Sequence, residues 1–222
     1  MDERFRQSAE NVRDAVLQTS CTPELFRERL LQVPTLDRDA WVDVVLGLDE
    51  LPDDGPELPS GCVPYLPCAV DVLLRIAARI PVRPDDLFVD IGSGVGRAAV
   101  VMHLLTAMVV RGIEVQSGHV RAARNLVAGL GLSKVTFVQG DAVDLVEEWA
   151  SATVFFLYCP FSGERLARFL QKVEMSIRDR DVYICAVDLP LPACSWLERL
   201  APDEGDLQLY WKRPNRFAHV VK

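Results

Sequence analysis

Eleven residues near the middle of the chain constrain its fold more than any others: Leu87-Phe88-Val89-Asp90-Ile91-Gly92-Ser93-Gly94-Val95-Gly96-Arg97. An apolar run fit for a buried strand passes directly into a turn with three glycines, and a helical pattern follows over Gly96 to Thr106. Strand, glycine turn and helix in that order open an α/β sheet. In such sheets ligands collect at the carboxyl edge, beside the first crossover.

The rest of the chain agrees with that opening. Helical spacing predicts a helix over Ala69 to Ile80 before the first strand and another over Gly118 to Ala128. Strands are expected at Leu87 to Ile91, Val109 to Glu114, Val135 to Gln139, Thr153 to Tyr158 and Val182 to Val187, with a helix over Gly163 to Ile177. A closing pair, Leu207 to Trp211 with Arg216 to Val221, is joined by Arg213-Pro214-Asn215 and reads as an antiparallel hairpin. Seven strands alternating with helices predict a Rossmann-like α/β three-layer sandwich, mostly parallel, ending in that hairpin.

The first quarter is different in kind. Amphipathic helices are expected from Glu3 to Leu17, Pro23 to Val33 and Arg38 to Leu46, the second opened by Thr22-Pro23 as cap and first-turn proline. Residues 51–61 are rich in proline and turn formers and mark a linker. The division expected is therefore 1–60, an acidic helical extension or lid, and 61–222, the ligand-binding domain. Residues 1–60 hold 14 Asp and Glu against 6 Arg and no Lys, while the remainder balances, so the entire net charge of −8 sits in front. Such a front repels phosphate backbones and disfavours nucleic acid as a partner.

With 50% hydrophobic residues the chain can bury a core. Its apolar stretches, such as Ala98 to Val110, still fall short of the roughly 20 residues of a membrane span. No membrane partner is expected. The acidic start Met1-Asp2-Glu3-Arg4 lacks a signal core, and a cytoplasmic protein is expected. The six cysteines are irregularly spaced, without a C-x-x-C pair, which favours reduced packing thiols over a zinc site or disulfides. No metal is expected.

The chemistry gathers at three strand ends. A dinucleotide-binding turn has the spacing G-x-G-x-x-G, whereas here the glycines run G-x-G-x-G, Arg97 stands where the third would fall, and Asp90 precedes the first by two residues. A carboxylate there faces a cation more comfortably than a diphosphate. S-adenosylmethionine (SAM) presents one, since it carries an ammonium and a sulfonium. Glu114 closes the next strand, where its two oxygens can accept from both ribose hydroxyls. Asp141 follows the third strand, placed for an adenine amino group with the Ala142 N–H at the ring edge.

On these residues, Asp90 to Gly96, Gly112-Ile113-Glu114 and Gly140-Asp141, the chain from about Tyr65 to Val187 resembles the class I SAM-dependent methyltransferases. Phe88 to Gly96 is also similar to the non-SET histone-lysine methyltransferases and their bacterial relatives. Pro64-Tyr65-Leu66-Pro67-Cys68 resembles the segment that, in those relatives, covers the methionine end of SAM. The resemblance implies a seven-stranded sheet, methyl transfer from SAM to an acceptor, a small molecule or a protein side chain, and cofactor contacts from Tyr65, Asp90, Gly92, Ser93, Gly94, Gly96, Glu114, Asp141, Ala142 and Tyr158. Tyr65, Tyr158 and Phe161 are the candidates for the acceptor pocket, and the N-terminal helices for a lid.

One departure matters. Amino-methylating subfamilies end the fourth strand in a motif such as Asn-Pro-Pro-Tyr, and this chain has Tyr158-Cys159-Pro160-Phe161, without the carboxamide or carboxylate. A non-catalytic SAM-binding module therefore stays open as an alternative, and an NAD(P)-dependent oxidoreductase, disfavoured by the glycine spacing, is the second. Cys159 reads as a packing residue. His103, His119 and His219 have no partner visible in sequence, and Arg97, Arg121 and Arg124 fit solvated helix faces better than an anion site.

Overall fold

The computed structural model describes residues 1–48, 51–55, 58–177 and 180–212. The chain begins with helix α1 (Glu3–Leu17), whose N-cap Asp2 accepts from the Arg4 N–H at 2.8 Å. Helix α2 (Pro23–Gln32) starts with Pro23 in its first turn, and the Thr22 hydroxyl accepts from Leu25 N–H at 3.2 Å. Helix α3 (Arg38–Leu46) stops at Gly47, whose φ of 70° is the left-handed termination a glycine adopts at low cost.

There follow α4 (Val70–Arg79), β1 (Leu87–Ile91), α5 (Arg97–Thr106), β2 (Val109–Glu114), α6 (Ser117–Leu130) and β3 (Val135–Gln139). The second half adds α7 (Val146–Trp149), β4 (Val154–Tyr158), α8 (Gly163–Ser176), β5 (Val182–Val187), β6 (Glu198–Glu204) and β7 (Leu207–Lys212).

The seven strands form one sheet in the order β3-β2-β1-β4-β5-β7-β6. β3 to β5 run parallel, β7 is antiparallel to β5, and β6 is antiparallel to β7. The expected fold class is the one observed. The closing hairpin is displaced, however: Leu207–Lys212 pairs with the preceding segment Glu198–Glu204, and the strand expected at Arg216 to Val221, with its turn, lies outside the described residues. Polar residues, Pro202 and a register shift between Leu200 and Glu204 disguise β6 in sequence. An edge strand tolerates all three.

Alternation along the strands fills both faces of the sheet. Phe88, Val110 and Phe156 turn to one side, where they join α4, α5, α6 and the N-terminal helices through Phe26, Leu30, Trp41 and Leu73. Val89, Ile113, Phe155 and Ile184 turn to the other, against Trp149, Phe169 and Val173. The first quarter thus shares a core with the sheet. Trp41 is fully buried there, and its truncation to Ala would cost about 3–5 kcal/mol.

Arg97 corrects an expectation. It is only 3% exposed, not on a solvated face. Its guanidinium donates to Asp43 at 2.6 Å, to Asp39 at 2.9 Å and to the Cys68 carbonyl at 2.8 Å. Asp39 and Asp43 are one turn apart on α3, so one helix face presents both carboxylates to the first residue of α5. A buried cation needs such partners.

Candidate functional site

The strand order reverses between β1 and β4, and the crevice opens at their carboxyl ends. The turn after β1 carries Gly92, Gly94 and Gly96 at φ 76°, 51° and 84°. At Gly94 the need for glycine is twofold. The backbone is left-handed, and a Cβ would stand 2.0 Å from a ring carbon of Tyr65, which lies directly on the turn.

Asp90, near the end of β1, is 2% exposed, and its Oδ2 has no hydrogen-bond partner among the described residues. Burial, then the neighbouring charge of Glu114, pushes its carboxyl up to about 8, against a smaller opposite pull from the Ala99 N–H. Two more buried polar atoms without partners belong to residues lining the same cavity, the Tyr65 hydroxyl and Ser93 Oγ. Burial raises the Tyr65 phenol far above its ordinary value, so it stays protonated as a donor.

Glu114 ends β2 and is 7% exposed. Its Oε2 accepts from Gly94 N–H at 2.9 Å and its Oε1 from Gln116 N–H at 2.8 Å, which fixes the carboxylate while leaving further lone pairs free. Asp141, after β3, accepts from Val143 N–H at 2.9 Å through Oδ1, and its Oδ2 is paired with Arg165. Ala142 is buried beside it.

The sheet therefore brings Asp90, Glu114 and Asp141 to one rim, and all three line one cavity with Tyr65, Gly92, Ser93, Ala142, Tyr158 and Phe161. Gly94 and Gly96 shape the turn beneath. No residue of α1–α3 lines this cavity. Leu58 and Cys62 to Leu66, from the segment after those helices, line it instead.

Two residues that sequence reasoning passed over, Arg165 and Gln116, belong here, with His119 beside them. Arg165, on α8, holds Asp141 and lies over the Phe161 ring at 5.9 Å. Gln116 is 3% exposed and grips the linker: its amide donates to Asp54 at 2.7 Å and accepts from Gly55 N–H at 2.5 Å. His119, for which the sequence alone shows no partner, faces the Pro52 carbonyl at 3.3 Å and packs its ring 5.3 Å from that of Tyr65. Asp54 also accepts from Tyr65 N–H at 3.2 Å. The contacts of Gln116 and His119 with residues 52–55 link positions 61 to 67 apart, which no local spacing announces.

Cys62, Cys68, Tyr158 and Cys159 also line the cavity, and burial raises the pKa of each. All six cysteines are free thiols. Among the described residues no helix is long and apolar enough to cross a membrane.

No protein-family model matches the chain, and no curated protein sequence matches it. Solved structures do resemble it. An RNA methyltransferase from Salinibacter ruber in complex with S-adenosyl-L-homocysteine is 22% identical, with 72% of this chain and 99% of that one aligned at a TM-score of 0.53. A variant of MtNAS in complex with S-adenosylmethionine is 17% identical over 65% of this chain and 62% of its own, at 0.52. The mitomycin 7-O-methyltransferase MmcR is 16% identical over 65% and 53%, at 0.51. The chain thus spans less than two thirds of the length of the last two, and what it shares with all three is the fold.

Proposed function

We infer that this chain, which has the fold of the class I SAM-dependent methyltransferases, binds SAM at the rim of β1, β2 and β3 and transfers its methyl group to an acceptor. The observation that carries the reading is the Asp90 carboxylate, enclosed beside a second carboxylate with one oxygen unpartnered. Two adjacent acids in a cavity repel a pyrophosphate and attract a cation, which favours SAM over a nicotinamide dinucleotide.

When bound, SAM supplies an activated methyl on a sulfonium with a neutral thioether as leaving group. Asp90 Oδ2 accepts from the ammonium, and the Tyr65 and Ser93 hydroxyls are free to donate to the carboxylate of the same end. Glu114, preset by two backbone N–H groups, accepts from the ribose hydroxyls. Asp141 accepts from the adenine amino group beside the Ala142 N–H, with Arg165 holding it in place. Tyr158 and Phe161 wall the acceptor side. Alignment is the protein's main contribution, and holding the reacting atoms at near-attack distance supplies much of the rate.

The test is calorimetric titration with SAM, followed by radiolabelled methyl transfer into protein and small-molecule pools. Binding with transfer is the expected result. Binding without transfer would reduce the chain to a SAM-binding module, and binding of NADPH without SAM would overturn the reading.

A further inference from the structure

Two residues beyond the donor rim stand in the left-handed region although neither is glycine: Cys159, at φ 34°, and Asp188, at φ 48°. They follow the last residues of β4 and β5. The register pairs Tyr158 with Val187, and Cys159 N–H donates to the Val187 carbonyl at 3.2 Å. The two residues therefore sit side by side on the carboxyl edge. Asp adopts this conformation readily and Cys does not. Strained backbone of this kind clusters at binding sites.

The Asp188 backbone is pinned, its N–H donating to the Asp206 carbonyl at 3.0 Å. Asp206 has its own carboxylate held by Arg75 at 2.7 Å. The Asp188 side chain is exposed, and among the described residues its carboxylate has neither an ion-pair nor a hydrogen-bond partner. Its charge reaches Tyr158 and Cys159, both on the cavity wall, where it adds to burial in keeping phenol and thiol neutral. Arg165, the cation on that wall, is committed to Asp141.

We propose that Asp188 receives the methyl acceptor, its carboxylate binding the nitrogen of an amine whose apolar body packs against Tyr158. The fourth strand ends without a carboxamide or carboxylate, and the fifth supplies one beside it. This rests on the methyl-transfer reading and names the acceptor's chemistry. The amine arrives as an ammonium and gives one proton to solvent. As its nitrogen bonds to the methyl carbon, the carbon–sulfur bond breaks with its electron pair going to sulfur. The proton then shed by the methylated nitrogen passes to Asp188 and on to water.

The test uses benzylamine as the amine and benzyl alcohol as its uncharged counterpart, titrated into protein loaded with S-adenosyl-L-homocysteine and into protein alone. Asn holds a left-handed backbone as readily as Asp, so Asp188→Asn removes the charge and leaves the turn. Benzylamine affinity falls roughly tenfold or more in that variant, the range of one charge-assisted hydrogen bond. SAM affinity and the weak binding of benzyl alcohol do not change, and Asp188→Glu recovers part of the loss. Methylation of benzylamine falls in parallel. The proposal is overturned if the parent protein does not bind benzylamine, or if Asp188→Asn binds it equally well. A parent that binds benzylamine through Asp188 but takes no SAM sinks the methyl-transfer reading instead.

Discussion

The ends of β1, β2 and β3 and the end of β4 share one cavity and are built on different principles. On the first side three carboxyl groups stand in fixed places, held by backbone N–H groups, and one oxygen of the most buried, Asp90 Oδ2, has no partner among the described residues. On the second, phenol, thiol and phenyl groups line the cavity, Arg165 is committed to Asp141, and Asp188, whose carboxylate has no partner among the described residues, stands beside Cys159. A ligand with fixed charges demands particular residues at particular strand ends. An acceptor wall needs only shape and one anchoring group, and many sequences provide that.

The sharpest way to break the comparison is at Asp90. Asp90→Asn should weaken SAM binding about a hundredfold, the upper range for a hydrogen bond to a charged group, as measured by calorimetry. The same residue predicts a pH dependence. Since its carboxyl titrates near 8 in the free protein, SAM must displace a proton below that pH, and affinity should climb from pH 6 to 8 and then level off. Stability runs the other way. A carboxyl raised from 3.8 binds its proton more tightly when folded, so its contribution is complete below 3.8 and is lost as pH rises through 8. The midpoint of thermal unfolding of the ligand-free protein should fall over that window, and Asp90→Asn should flatten both profiles.

Glu114→Ala comes next. It should weaken SAM by roughly one to two decades, and it leaves two buried N–H groups unpaired, at a cost of about 2 kcal/mol in urea unfolding. Asp141→Asn acts on a half-exposed pair, where solvent screens the charge, and should cost SAM affinity about fivefold by the same titration. The smallest effect is expected across the cavity. Cys159→Gly relieves a left-handed cysteine and should raise the melting temperature by about 2–4 °C, while SAM affinity stays within about twofold. A large loss of SAM binding there would erase the distinction between the two sides.

The same contrast explains what could be read in the sequence. The parallel sheet was legible because β4 and β5 are apolar on both faces and strand-like runs alternate with helical ones, and the acidic rim because Asp90, Glu114 and Asp141 each stand at or just after the end of a recognisable strand. Arg165 escaped notice because it meets Asp141 only through the packing of α8, and Gln116 because its partner Asp54 comes 62 residues earlier. Arg97 was misplaced since a helix-opening arginine is normally solvated. Its burial depends on where α3 lies, which no pattern within α5 encodes. Asp188 drew no attention in sequence, and its place beside Cys159 is visible only once β4 and β5 are neighbours.

The Arg97 anchorage has a consequence for how the chain comes apart. Because α3 is pinned to α5 by two carboxylates, and α1 to α3 contribute Val12, Phe26 and Trp41 to the sheet's own interior, the acidic front is no detachable module. A protease cutting between residues 49 and 60 would nick the backbone without separating the pieces. Both fragments would elute together under native conditions and part only in denaturant.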